Sequence, residues 1–176
     1  MNHDEQLKKL LSRLNEIAIK YNNMLNLTIV FESDQFKRQK IYKAKFYKGN
    51  FLHLTGVITN LKAVDFFNKC LEGKITKENI LNFPDEYRSR IDKKLRNLSF
   101  IDEYFKKNLD VQEDFSRNSV NCAFATSDGY KTVGFVYTLP IIRPMTILDR
   151  NRLDINKPIY QIKPKIIHPN LPKKKI

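Results

Sequence analysis

The chain has 176 residues, 41% of them apolar, with no Trp but 12 Phe and 8 Tyr; that is enough for one packed domain and too apolar for a disordered chain. The formal net charge is +13, from 32 Lys and Arg against 19 Asp and Glu, which favours a polyanionic partner, nucleic acid ahead of an anionic membrane. Only five Gly occur, with neither GxGxxG nor GxxxxGK[ST], and the two Cys, Cys70 and Cys122, lie far apart, so Gly-rich phosphate loops, zinc modules and disulfide scaffolds are set aside.

Residues 4–22 carry Leu7, Leu10, Leu11, Leu14, Ile17, Ala18 and Tyr21 at helical spacing, which predicts a helix with one apolar face. "LNLTIVFES" reads as a strand, and "KIYKAKFYKGNFLHL" as a second strand leading into a third across the turn "KGN". A helix is expected from Asn60, with Leu61, Val64, Phe67, Cys70 and Leu71 as its apolar face and Gly73 as its cap. Thr76 is placed to cap a short helix ending near Leu81, and Pro84 breaks the pattern.

"DEYRSRIDKKLRNL" gives a helix through Tyr87, Ile91, Leu95 and Leu98, and "SFIDEYFKKNL" continues helical after Ser99. "SVNCAFATSDGYKTVGFVYTL" then reads as two strands around the turn Ser127-Asp128-Gly129. "RPMTIL" and "KPIYQIKPKIIH" are short β-like pieces whose prolines suit edge strands rather than central ones. The order helix, strands, helices, strands predicts an α+β domain with the helices packed on an antiparallel sheet. We expect one domain over residues 1–150, a basic Pro-containing extension over 151–176, and a mobile end at "PNLPKKKI".

The positive charge is concentrated in the two β-rich parts. Residues 37–48 hold Lys37, Arg38, Lys40, Lys43, Lys45 and Lys48 with no acid, while residues 143–176 hold nine Lys or Arg against Asp149 and Asp154. Tyr42, Phe46, Tyr47 and Phe51 interleave with the first cluster, a pattern that suits stacked bases and phosphates. A solvated strand face with core aromatics explains either cluster taken alone. No apolar run approaches the roughly 18 residues of a membrane span, and the N-terminus lacks an apolar secretory core; the expectation is a cytoplasmic protein with no membrane partner.

Three histidines are present. His3 is near an end and His168 lies in a proline-rich segment, which leaves His53 as the candidate for proton transfer; a lone His among apolar residues is more often a core residue. No HxH or HExxH pair occurs, so we expect no metal and no cofactor. RNA supplies its own nucleophile, the 2′-hydroxyl, so its cleavage needs only a base, an acid and cations for the charged phosphorane. His53 suits proton transfer. "ATSDGYKT" and "RPMT" offer Thr126, Ser127, Tyr130, Lys131, Thr132, Arg143 and Thr146 to bind the phosphate or relay a proton, although ordinary turn polarity explains the first segment taken alone.

"NFLHLTGV", "AVDFFNKCLEGKIT" and "GFVYTLPIIRPMTIL" together resemble the phage-associated barnase–EndoU–colicin–RelE-like nucleases, in their fourth phage subfamily. The resemblance runs over residues 25–150. Its positions are Phe51, His53, Leu54 and Gly56; Cys70, Gly73, Lys74 and Ile75; and Gly134, Phe135, Pro144, Thr146, Ile147 and Leu148. It implies a helix and four-stranded-sheet core, metal-independent cleavage of RNA, and His53 and Thr146 as active-site residues. Charge and position add Lys45 and Arg143 as catalytic candidates, and Lys43, Tyr47, Ser127, Tyr130 and Lys131 as substrate-binding ones. A toxin-like ribonuclease would call for a neutralising protein partner. The alternative is a non-catalytic binder, phage- or defence-related, that uses its basic surface and keeps His53 in the core.

Overall fold

The computed structural model describes residues 2–81, 88–117 and 119–169. Helix α1 (His3–Asn22) opens on a capping box in which the Asn2 side chain accepts from the Glu5 N–H at 2.9 Å and the Glu5 carboxylate accepts from the Asn2 N–H at 3.2 Å. Its apolar face is buried as the spacing requires. Strands β1 (Thr28–Glu32) and β2 (Ile41–Lys45) follow as an antiparallel pair, with Tyr42 and Ala44 facing inward and Lys43 and Lys45 outward.

The third strand expected after "KGN" is instead helix α2 (Lys48–Thr55). Phe51 and His53 alternate like a strand, yet the buried positions Asn50, Phe51, Leu54 and Thr55 follow helical spacing, and a run this short fits both periods. Gly56, at φ +71°, ends the helix in the left-handed region. Helix α3 (Ala63–Leu71) begins later than expected and leaves Val64 exposed, while Phe66, Phe67 and Cys70 are buried. The short helix after Thr76 is a single 3₁₀ turn, Lys77–Asn79. Helix α4 (Arg88–Leu98) buries Ile91, Leu95 and Leu98, and α5 (Ile101–Tyr104) is a single turn. Pro84, Tyr87 and most of the terminal "PNLPKKKI" lie outside the described residues.

Strand β3 (Leu109–Arg117), unrecognised in the sequence, pairs with β4 (Val120–Ser127), which continues through the hairpin to β5 (Lys131–Thr138) and on to β6 (Ile141–Asp149). Two short strands, β7 (Tyr160–Ile162) and β8 (Lys165–Ile167), complete an eight-stranded sheet in the order β7-β3-β4-β5-β6-β2-β1-β8. The sheet is mixed, not antiparallel: β2 joins β6 in parallel at Ala44 and Ile142, while the other pairs are antiparallel. Only Lys163 and Pro164 separate β7 from β8, yet the two strands pair with opposite edges. Three Cα–Cα steps reach at most about 11 Å, so the sheet curls until its edges nearly meet.

That curl encloses an aromatic core. Tyr42 stacks on Phe124 at 4.5 Å between centroids, Phe31 meets Phe124 at 5.0 Å, and Tyr21 of α1 meets Phe51 of α2 at 5.1 Å. Such pairs add about 0.5–1.5 kcal/mol each beyond the area they bury.

Candidate active site

Proline belongs at edges or bulges of sheets because it cannot donate to the ladder. Pro144 occupies an interior strand, against expectation, and the strand accommodates it with a bulge: Gly134 pairs with Thr146 while the next residue, Phe135, pairs with Pro144, so Met145 is extra. A bulge of this kind re-aims side chains locally. Here Met145 and Thr146 both line one groove. The register also depends on Gly134, where a Cβ would lie 2.6 Å from Cys122 Sγ and 3.0 Å from Thr146 Cγ2.

Helices α2 and α4 pack against β6 and each other, and the groove of about 740 Å³ lies where they meet. His53 and Gly56 line it from α2 and its cap, Arg90 and Lys94 from α4, and Met145 and Thr146 from β6. His53 is exposed, not a core residue. The Lys94 stem crosses Gly56 so closely that a Cβ there would meet its Cδ at 2.8 Å. Leu52, Val57 and Ile58 supply an apolar wall beside the cations.

The field at His53 is cationic. Partial burial, then the charges of Lys94, Arg143 and Arg90, hold its pKa below the usual 6.5. Its place in the last turn of α2 acts the other way by about 0.3–1 kcal/mol, and the burial and three cations outweigh it. Lys94 is half-buried, and its own pKa is lowered by that burial and by Arg90. Among the described residues that line the groove none is a carboxylate. The imidazole is thus favoured in its neutral, proton-accepting form, in surroundings arranged for an anion.

Of the residues singled out from the sequence, His53 and Thr146 meet in this groove, and Arg143 reaches it through its charge. Arg143 is held by donating from Nε to Thr138 Oγ1 at 2.9 Å across the β5–β6 hairpin. Lys45 is one position beyond the Ala44–Ile142 pair, level with Arg143 on the neighbouring strand; it and Lys43 are exposed on the outer face of β2 but do not line the groove. Tyr47 is the exposed N-cap of α2, and its carbonyl accepts from Tyr21 Oη at 2.9 Å.

The hairpin candidates are elsewhere. Lys131 pairs with Asp149, three positions from the Gly134–Thr146 pair, or about 10 Å along the strand. Ser127 Oγ donates to the Lys131 carbonyl at 2.9 Å and accepts from the Gly129 N–H at 3.1 Å, so it serves the turn. Lys131 is buried with Nζ 4.9 Å from the Phe100 ring centre and 5.6 Å from that of Tyr104. Tyr130 is exposed at the turn and donates its N–H to Asp128 at 3.0 Å.

Arg90 and Lys94 were not singled out from the sequence. Their i, i+4 spacing in "RSRIDKKL" placed both on one helix face, and the near-balance of charge in the surrounding helices hid that stripe. Among the described residues no group of three His, Cys, Asp or Glu side chains is placed to hold a metal ion, and no helix is long and apolar enough to cross a membrane.

No curated protein and no solved structure matches the chain. The model of the family described as phage-Barnase-EndoU-ColicinE5/D-RelE like nuclease4 matches residues 13–166, which take in the groove, the bulged β6 and the short edge strand β7. The chain belongs to that nuclease family.

Proposed function

We propose that this protein is an endoribonuclease that cleaves RNA by attack of the 2′-hydroxyl on the adjacent phosphodiester, without a metal ion. The observation that carries the reading is His53 in a groove whose described charges are all cations. Neutral His53 takes the 2′-hydroxyl proton as the 2′-oxygen bonds to phosphorus. Arg90 and Arg143 stabilise the negative charge that grows on the phosphorane, and Thr146 donates a hydrogen bond to one of its oxygens. The apolar wall receives a base, and Lys43, Lys45 and Tyr47 carry the strand toward the groove along β2. On this reading the helices and curled sheet are a barnase- or RelE-like core extended by edge strands.

The test is cleavage of labelled single-stranded RNA in EDTA by wild type and by His53→Ala, with RNA affinity measured separately. The reading expects a loss of about 10²–10⁴-fold in cleavage with affinity retained. It also expects binding to weaken with salt at a log–log slope of roughly −2 to −3 if three or four phosphates are neutralised. Salt-dependent binding by both proteins with cleavage by neither would make the chain a nucleic-acid binder that has the shape of a nuclease.

A further inference from the structure

The same chemistry needs a second proton-transfer group. When the P–O5′ bond breaks, the leaving 5′-oxygen must take up a proton, and His53 is committed to the 2′-side. We infer that Lys94 is the general acid that protonates the 5′-oxygen. This assignment rests on the ribonuclease reading and goes beyond it by naming the second catalytic residue.

Elimination and geometry carry it. Among the described residues that line the groove, the ionisable groups are His53, Arg90 and Lys94. A guanidinium does not release its proton in a protein, which removes Arg90, and Arg143 with it. The Thr146 hydroxyl can donate a hydrogen bond but is far too weak an acid to deliver a proton. Lys94 remains, and it is set rather than free. Its stem lies against Gly56, where even one added carbon would meet Cδ at 2.8 Å. The helix that carries it packs against both α2 and β6. Of the charges acting on His53, that of Lys94 is the largest, so the two groups share one field across the groove.

The step balances without any further reagent. The O2′–P bond forms as the 2′-proton passes to the His53 imidazole; the P–O5′ bond breaks as a proton passes from the Lys94 ammonium to O5′. The products are a 2′,3′-cyclic phosphate and a 5′-hydroxyl. Exchange with water then returns His53 to its neutral form and Lys94 to its charged form. Burial and Arg90 both weaken the hold of Lys94 on its proton, which aids transfer to an alkoxide.

The test compares ordinary RNA with RNA in which a single bridging 5′-oxygen is replaced by sulfur, a leaving group that departs without protonation. Lys94→Met keeps the stem over Gly56 and removes the proton. It is expected to cleave ordinary RNA about 10²–10⁴-fold more slowly than wild type and the 5′-thio linkage at close to the wild-type rate. Lys94→Arg keeps the charge but not the transferable proton, and is expected to bind RNA normally and cleave it as poorly as Lys94→Met. His53→Ala is expected to lose both substrates. A Lys94→Met variant that melts like wild type and is equally slow on both linkages, or fast on both, overturns the assignment while the ribonuclease reading stands. Wild type that cleaves neither linkage removes the reading and the assignment together.

Discussion

Gly134→Ala tests the link between the β6 bulge and the groove. The new methyl carbon would sit 2.6 Å from Cys122 Sγ and 3.0 Å from Thr146 Cγ2. Both neighbours are buried, and Cys122 belongs to a small cluster with Phe115, Ala125 and Leu153. Ordinary contact requires the sulfur to retreat by about 1 Å in a close-packed layer, an overpacking that costs about 1–3 kcal/mol. In a protein of this size each kcal/mol lowers Tm by about 2–4 °C. Urea denaturation of wild type, Gly134→Ala, Cys122→Ala and the double variant forms a cycle. Cys122→Ala alone destabilises by loss of buried volume, but it removes the sulfur that the added methyl would strike. The double variant is therefore expected to be about 1–2 kcal/mol more stable than additivity allows. The contact with Thr146 persists in the double variant, so its cleavage of RNA is expected to stay reduced after stability is regained. A single variant as stable as wild type, or a strictly additive cycle, would refute the close approach and with it this account of the bulge.

Histidine resonances followed by NMR should place the His53 titration below 6.5, and Arg143→Met should move it up, since a removed cation favours the imidazolium. Because the native pKa is depressed, the unfolded chain binds this proton more readily, so stability tied to His53 is complete above 6.5 and lost as pH falls through the lower native value. Gly56→Ala forces a methyl into the left-handed region at φ +71°, which costs about 1–2 kcal/mol, and it displaces the Lys94 stem, so activity is expected to fall in excess of the stability loss. Asn15→Ala removes two bonds from Nδ2, to the carbonyls of Cys70 at 2.8 Å and Leu71 at 3.1 Å, that hold the end of α3 to α1. It is expected to cost about 1–3 kcal/mol by denaturation with cleavage per folded molecule unchanged.

What could be read in the sequence was whatever depended on local periodicity. The apolar stripe of α1 and the Ser127-Asp128-Gly129 turn appear at their expected positions. The "FLHL" segment misled because so short a run satisfies both the strand and the helix period, and the decision falls to Phe51 and Leu54, buried in a core that Tyr21 and Phe67 reach from other elements. Strand β3 was hidden by Asp110, Gln112, Glu113 and Asp114. Glu113 is polar for a reason invisible in one dimension: its carboxylate accepts from the Lys37 and Arg38 backbone N–H groups at 2.7 and 3.0 Å. His53 and Thr146 stood out through the family pattern, but their meeting depends on a bulge that only the register reveals. Arg90 and Lys94 join them because α4 packs on β6, a non-local contact with no sequence signature. Ser127 and Lys131 looked like phosphate ligands because polar groups that build a turn and polar groups that bind an anion are the same residue types.

The proposed nucleophile is the substrate 2′-hydroxyl, and one substrate pair tests it. After the cleaved position in a short RNA is located, wild type would be given the same strand, in EDTA, with a single 2′-deoxynucleotide on the 5′ side of that linkage, and the new ends of both digests would be identified. The expected result is loss of cleavage at that linkage alone, with 2′,3′-cyclic phosphate and 5′-hydroxyl ends from the all-RNA strand. Undiminished cleavage of the deoxy-substituted linkage, or 5′-phosphate ends, would show that water rather than the substrate hydroxyl is the nucleophile and would contradict the role assigned to His53.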